Sequence, residues 1–389
     1  KLAAILAEVL GDPPLGMHDG FFERGGNSLQ AMRVLGRVRT ELGVQLSLRA
    51  FAEAESIRAL AQRIDRAGQA PGQVEITRAE RRGPMPLSFA QQRFWMLDQL
   101  QEGYAVYTLP AAVRMRGRLQ VGVLRAALQA LLERHELLRA SFTVVDGLPM
   151  SRVASELVLT LEELDLTAIA PSDRLQEVQR IAARAAALPF DLSNAPLLRA
   201  TLLQLSENDH VLLLTVHHIV ADGWSMVVLF EELAALYRAL VRGESASLPA
   251  LALDYWDYAA WQQASHAQDG FALDLAYWRE RLANIPAALA LPTDRPRPRV
   301  QTSAGARLEL ELDATLIARL EALSRQEGVT LYVTLLAAFQ VLLYRYSGQT
   351  EIVVGSPVAS RPVPALERIV GPFVNTLAMR GDLSEEPSF

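Results

Sequence analysis

The stretch Val216-His217-His218-Ile219-Val220-Ala221-Asp222-Gly223-Trp224-Ser225 places two histidines at the close of an apolar run and a carboxylate four residues after the second. Upstream, Leu197 to Leu205 and His210 to Val216 are apolar runs joined by Ser206-Glu207-Asn208-Asp209, a hairpin signal. Downstream, Ser225 to Leu240 reads as a helix, with Ser225 a suitable N-cap. Neighbouring side chains of a strand leave on opposite faces. If the strand runs through both histidines, one is packed and the other presented. Strand, turn and helix in this order predict a mixed α/β unit around the pair.

Composition narrows the function. The chain has 389 residues, 50% hydrophobic and 21% charged, which suits two or three globular domains. The net charge of -6 argues against nucleic acid as a partner, because phosphate neutralisation needs a basic face. No apolar stretch approaches the ~20 residues of a membrane span, so no membrane partner is expected. The chain has no cysteine, which excludes disulfides, cysteine metal sites and a cysteine nucleophile. Any thioester sulfur must arrive on an attached group. Of the 38 basic residues only Lys1 is lysine, a bias that fits a GC-rich, bacterial genome.

Residues 1 to about 66 read as a small helical bundle. Leu2, Ile5, Leu6, Val9 and Leu10 form one stripe; Leu29, Met32, Leu35, Val38 and Leu42 a second; Phe51, Ile57, Leu60, Ala61 and Ile64 the rest. Residues 67–83 lack apolar periodicity and read as a linker that spans roughly 55–60 Å when extended. Beyond it, Val121, Leu124, Leu128 and Leu131 predict a helix. After a Pro/Arg-rich loop at 292–299, a strand is expected near 306–312, helices near 314–327 and 330–346, and a strand at 351–356.

Near the start, Gly25-Gly26-Asn27-Ser28-Leu29 places a serine at a predicted helix start after two glycines that allow a tight turn. The positive end of the helix dipole suits a phosphodiester there, although an N-cap role alone explains a serine equally well. The wider pattern, Asp19-Gly20-Phe21-Phe22-Glu23-Arg24-Gly25-Gly26-Asn27-Ser28-Leu29 on a helical unit, resembles the carrier domains of nonribosomal peptide synthetases. That resemblance covers residues 1–66. It implies an all-α four-helix bundle with 4'-phosphopantetheine attached to Ser28 by a phosphopantetheinyl transferase. Asn27 stands where an acidic residue or histidine is more usual.

An isolated His-His pair is most simply structural, and Asp222-Gly223 alone could be a turn. No third histidine or acidic cluster at ligand spacing accompanies them, so no metal is expected. In company they read differently. His217-His218 with Asp222-Gly223 resembles the active-site motif of condensation domains, of the chloramphenicol-acetyltransferase-like superfamily. Four more motifs of that family stand in order along the chain: Leu87-Ser88-Phe89-Ala90-Gln91-Gln92-Arg93-Phe94-Trp95-Met96-Leu97, Arg134-His135-Glu136-Leu137-Leu138-Arg139-Ala140-Ser141-Phe142, Tyr255-Trp256-Asp257-Tyr258-Ala259-Ala260-Trp261 and Ile369-Val370-Gly371-Pro372-Phe373-Val374-Asn375-Thr376.

The resemblance implies an α/β (α+β) condensation domain over 84–389, with subdomains at about 84–262 and 263–389, the second truncated. It implies amide formation: the amine of an aminoacyl thioester on a downstream acceptor carrier attacks a donor thioester, with adenylation domains of the same assembly line loading the carriers in a bacterial cytoplasm. His218 is then the catalytic histidine, His217 its packed neighbour, and Asp222 an architectural acid expected to pair with Arg139. Gly223 is expected to serve the turn and a close backbone approach; His135, Trp95, Trp256 and Trp261 are expected in the core. The first motif resembles the subtype that accepts an L-configured donor. Two other readings stay open: a stand-alone acyltransferase, and a non-catalytic condensation-like recruitment platform.

Overall fold

Two neighbouring strands that are apolar on both faces must be covered on both sides, and that requirement organises the larger part of the chain. The computed structural model describes residues 1–11, 16–22, 24–26, 28–44, 46, 50–51, 54–66, 76–81, 83–100, 105–267, 271–296, 298–299, 305–306 and 308–385. Its contacts divide into two compact units, one of residues 76–271 with 365–375, the other of 1–75, 272–364 and 376–389.

At the N-terminus, helices α1 (Leu2–Leu10), α2 (Ser28–Leu42) and α3 (Ile57–Arg66) turn their apolar stripes onto one core. Ile5, Leu6, Val9, Ala31, Val34, Val38, Ile57, Leu60 and Ile64 are buried there. Phe21, Phe22 and Phe51 meet edge to face at 5.0–6.1 Å, the geometry aromatic quadrupoles favour. The side chains of Leu29 and Met32, expected on the α2 stripe, lie outside the described residues, as does Asn27.

The larger unit is built on a four-stranded sheet of order β2-β7-β6-β5: β2 (Thr108–Arg116), β7 (Asp209–His217), β6 (Leu198–Ser206) and β5 (Leu161–Asp165). β6 and β7 form the expected hairpin, and β2 pairs antiparallel with β7, Thr108 opposite His217. Parallel pairing of β5 with β6 needs a crossover, supplied by α6 (Arg174–Ala187), whose Val178 packs against Leu203, Leu205, Val211 and Leu213. All residues of β7 from His210 to His217 are buried, so both faces of that strand are covered. A three-stranded sheet joins β1 (Met85–Pro86) to β4 (Leu148–Val153) and β3 (Ala140–Val145). Between β1 and β2 runs α4 (Phe89–Leu100); α5 (Val121–Arg134) packs on α7 (Gly223–Val241), and α8 (Tyr255–Ala267) closes the unit.

In the other unit, α9 (Ala272–Arg281) precedes α10 (Ala314–Gln326) and α11 (Leu331–Ser347), which start on Asp313 and Thr330 caps; β8 (Glu351–Ala359) and β9 (Val374–Asp382) form a two-stranded sheet. The strand expected near 306–312 is not found among the described residues. Leu308 and Leu310 alternate as a strand would but are 84% and 80% exposed, and no described strand pairs with them. A period-two pattern needs a partner edge to become a strand. Among the described residues, no single helix is long and apolar enough to cross a membrane.

His135, expected in an apolar core, is buried in a polar one. It caps α5, and its Nε2 lies 2.7 Å from Glu232, which is itself 1% exposed. Arg134 donates to the same carboxylate from Nε at 2.9 Å and from its fork at 3.3 Å. Burial pushes the Glu232 carboxyl up, but His135 and Arg134 outweigh it and hold it below its usual value. Removing the shared acceptor strands two donors. Glu232→Ala is expected to cost about 3–5 kcal/mol, seen by calorimetry as a fall of several degrees in the melting temperature of the larger unit.

Candidate active site

The end of β7 separates the two histidines. His217 closes the strand, is 5% exposed and meets Phe190 edge-on at 6.0 Å. Its Nδ1 accepts the Ile219 N–H at 3.1 Å, so its ring proton sits on Nε2. Burial, with His218 beside it, pushes its pKa down to about 4. His217 is thus a buried, neutral ring whose Nδ1 is committed to the turn. His218 leaves the ladder after one last hydrogen bond, from its N–H to the Tyr107 carbonyl at 2.7 Å, and is partly exposed. Its ring stacks on Phe94 at 4.7 Å and 23°. Its Nδ1 is buried and makes no hydrogen bond to any described residue. Burial holds the His218 pKa below its ordinary value; the His218 carbonyl, Asp222 and the Ala221 carbonyl oppose that, and Arg93 reinforces it.

Asp222 is 3% exposed and caps α7. One carboxylate oxygen accepts the Ser225 N–H at 2.7 Å and the Ser225 hydroxyl at 2.6 Å; the other accepts the Phe373 N–H at 3.1 Å. The cap is therefore Asp222 and not Ser225, which lies inside the first turn as the donor. The expected Arg139–Asp222 pair is not formed. Arg139 closes a 3₁₀ turn and reaches the Leu132 carbonyl at 3.3 Å, together with the carbonyls of Ala154 and Ser155. The last carbonyls of α5 lack helical partners, and Arg139 supplies a donor to one of them. Gly223 also departs from expectation. It is exposed, begins α7 with no left-handed backbone, and a Cβ placed on it meets no described atom within 4 Å.

Sequence reasoning did not single out the struts behind the turn. Gln91 Nε2 donates to the Ile219 carbonyl at 3.3 Å while Gln91 Oε1 accepts the Ser88 N–H at 3.1 Å. The Ser88 hydroxyl lies 2.7 Å from the Tyr255 hydroxyl, which donates to the Pro372 carbonyl at 2.9 Å. The Ser225 hydroxyl lies 3.0 Å from both the Gly371 N–H and the Gly371 carbonyl. Four motifs far apart in the chain are thus linked around His218. The available signal was that Ser88, Gln91, Tyr255 and Gly371 all lie in those motifs, but type and spacing do not say which polar groups meet. Trp256 is buried as expected, whereas Trp95 and Trp261 are only partly so. Among the described residues no group of three or more histidines, aspartates and glutamates could hold a metal ion.

On the carrier side, Ser28 is the first residue of α2; its side chain lies outside the described residues. The approach to it fits an attachment point. Gly25 takes φ 85°, and a Cβ on Gly26 would lie 2.4 Å from the Phe21 ring, so the chain turns sharply into the helix start.

Gly371 and Gly223 offer a paired test. A Cβ on Gly371 would fall 2.0 Å from the Tyr255 ring. Gly371→Ala is expected to displace the Tyr255 strut and lower thermal stability by about 1–3 kcal/mol. Gly223→Ala is expected to leave stability unchanged or raise it slightly, since alanine is the better helix former. Thermal melts of the two variants check the contrast.

Family models match over nearly the whole chain: a phosphopantetheine attachment site over residues 1–64 and a condensation domain over 81–389. The chain is 45% identical over 388 residues to a linear gramicidin synthase of Brevibacillus parabrevis, with 100% of this chain matched to 8% of that protein. It thus spans less than a tenth of the length of that relative. Among solved structures, the X-domain from teicoplanin biosynthesis is similar with a TM-score of 0.72 at 33% identity, covering 81% of this chain and 69% of that one. The first condensation domain of the CDA synthetase gives a TM-score of 0.65 at 26% identity, covering 78% and 72%. With both domain families matched in the order the motifs stand in, the chain belongs to the nonribosomal peptide synthetases, as a phosphopantetheine-bearing carrier domain followed by a condensation domain.

Proposed function

We propose that this segment joins a donor acyl or aminoacyl group held at Ser28 to the amine of an aminoacyl thioester on a downstream carrier, with His218 as the base. The observation that carries the reading is the asymmetry of the two histidines. His217 has its Nδ1 engaged and its ring buried, while His218 is partly exposed and its Nδ1 makes no hydrogen bond to any described residue. When bound, the phosphopantetheine supplies the thiol on which the donor rides as a thioester. The attacking α-amine has a reference pKa near ~8 and imidazole near ~6.5, so a neutral His218 ring accepts its proton readily near neutrality. Such a base contributes about 10²–10⁴-fold. Because the thioester is already activated, alignment of the two partners supplies a further ~7–11 kcal/mol.

The other residues act by position. Phe94 stacks on the His218 ring, and Asp222 holds the turn that carries it. The same reading includes an L-configured donor, adenylation domains that load the carriers, a phosphopantetheinyl transferase acting on Ser28, and a bacterial cytoplasmic setting. The reading as a recruitment platform has no use for a base kept neutral at a partly open position; the stand-alone acyltransferase reading has no use for a fused attachment domain.

The test is intact-protein mass spectrometry after an acyl-phosphopantetheine is installed on Ser28 and a loaded downstream carrier is added. The acyl mass is expected to move to the second carrier. His218→Ala should slow this about 10²–10⁴-fold, and Ser28→Ala should gain no phosphopantetheine. A folded His218→Ala protein with unchanged rate would sink the base assignment. The pH dependence has a fixed sign. His218 accepts a proton only when neutral, and burial keeps its pKa below the ordinary value, so the single-turnover rate is expected to hold at pH 7 and fall as pH drops through a value below ~6.5.

A further inference from the structure

Residues 67–83 read as a linker, yet the described segment 76–81 within them is bound. Ile76 is buried. Arg78 donates to the carbonyls of Ala252 at 3.1 Å and Leu251 at 3.2 Å. The Ala79 N–H donates to Asp257 at 2.8 Å, and Asp257 is 1% exposed, its second oxygen taken by the Asp254 N–H at 2.9 Å. Arg81 pairs with both Glu136 and Asp254. Behind this segment lies a cavity of about 180 Å³ lined by Arg78, Arg81, His135, Glu136, Asp254 and Trp256. The three carboxylates lie in, or directly precede, the motifs that begin at Arg134 and Tyr255. Their hydrogen bonds go to residues 79–81 and to the start of α8, not to the His217–Ser225 turn. The chemistry proposed for His218 leaves them without a role.

We propose that Glu136, Asp254 and Asp257 form an acidic dock for the Arg78–Arg81 strap, and that this dock sets the root of the carrier's tether at Ile76. The inference rests on the reading that a donor on Ser28 serves the His218 site. Exposed ion pairs such as those of Arg81 hold weakly. Asp257 is different, because its buried carboxylate loses a hydrogen bond whenever Ala79 leaves. With the strap docked, residues 67–75 span at most roughly 30–32 Å. With it released, 67–83 span roughly 55–60 Å. Effective concentration falls as about the 3/2 power of tether length, so release lowers the local concentration of the Ser28-borne donor about threefold.

The experiment uses the intact chain and two variants, Arg78→Ala/Ala79→Pro/Arg81→Ala on the strap, which removes the Ala79 N–H, and Glu136→Gln/Asp257→Asn on the dock. Asp257→Asn keeps an acceptor oxygen for only one of the Ala79 and Asp254 N–H groups. The first readout is the ratio of condensation rates with donor on Ser28 and with the same acyl group on diffusible pantetheine. It is expected to fall about threefold in both variants, with the diffusible-donor rate unchanged. The second is trypsin nicking of the Arg78–Ala79 bond, expected to be several-fold faster in Glu136→Gln/Asp257→Asn. A ratio that stays put or rises, or nicking that does not change, overturns the proposal. Loss of product with both donor forms in the parent chain would instead count against the His218 reading, while nicking still decides whether the dock holds the strap.

Discussion

A single buried carboxylate, Asp222, holds together the parts on which the site depends. Its oxygens accept from Ser225 on the first turn of α7 and from the backbone at Phe373, a segment about 150 residues later in the chain. A carboxylate at 3% exposure needs several donors to offset its lost hydration, and these N–H and O–H groups provide them. The arrangement ties a helix N-terminus, whose dipole favours the negative charge, to a loop with no other regular structure. The turn bearing His218 lies directly between strand and cap, so its shape follows from this clamp.

The return of residues 365–375 to the larger unit is the tertiary consequence. Leu366, Ile369, Val370 and Phe373 are buried there. Trp224 donates to the Glu367 carbonyl at 2.8 Å, and Tyr255 reaches Pro372 across the face of Gly371. Each strut is an ordinary hydrogen bond of modest net worth, but each is buried, so leaving one half-made is costly. Ser88, Gln91, Asp222, Ser225 and Tyr255 act as one network for that reason. The same principle operates at Glu232, which gathers His135 and Arg134, and at Asp257, which gathers the strap. Three buried acids thus gather donors from separate segments of the unit.

The two adjacent histidines show how position alone assigns chemistry. Identical rings one residue apart differ because the strand ends between them. His217 keeps strand burial and gives up its Nδ1 lone pair to the turn; His218 enters the turn, stacks on Phe94 and keeps some access. Burial lowers both pKa values, with His217 driven to about 4. Arg93 and Asp222 act on His218 in opposite senses, Asp222 opposing the effect of burial and Arg93 adding to it.

Local periodicity and turn chemistry were legible without coordinates. The hairpin of β6 and β7, helices α5, α7, α10 and α11, and the helical carrier with its glycine turn all follow from patterns a few residues long. That one histidine is packed and the other presented was also expected, although the reason is that the strand ends at His217 and not that it runs through both. Pairings over long separations were not legible. Arg139 was matched to Asp222 by charge, yet the fold spends it on carbonyls at the end of α5; Gly223 was assigned a tight approach that belongs to Gly371. Leu308 and Leu310 alternate like a strand but pair with none described, and the segment 76–81 of the apparent linker is held by Asp257 and its neighbours. The sequence by itself determined the elements, the two families and the residues capable of chemistry, because those depend on local period and residue type. Only the tertiary structure decided which buried donor meets which acceptor, because a hydrogen bond depends on ångström distances between segments that the chain order leaves free.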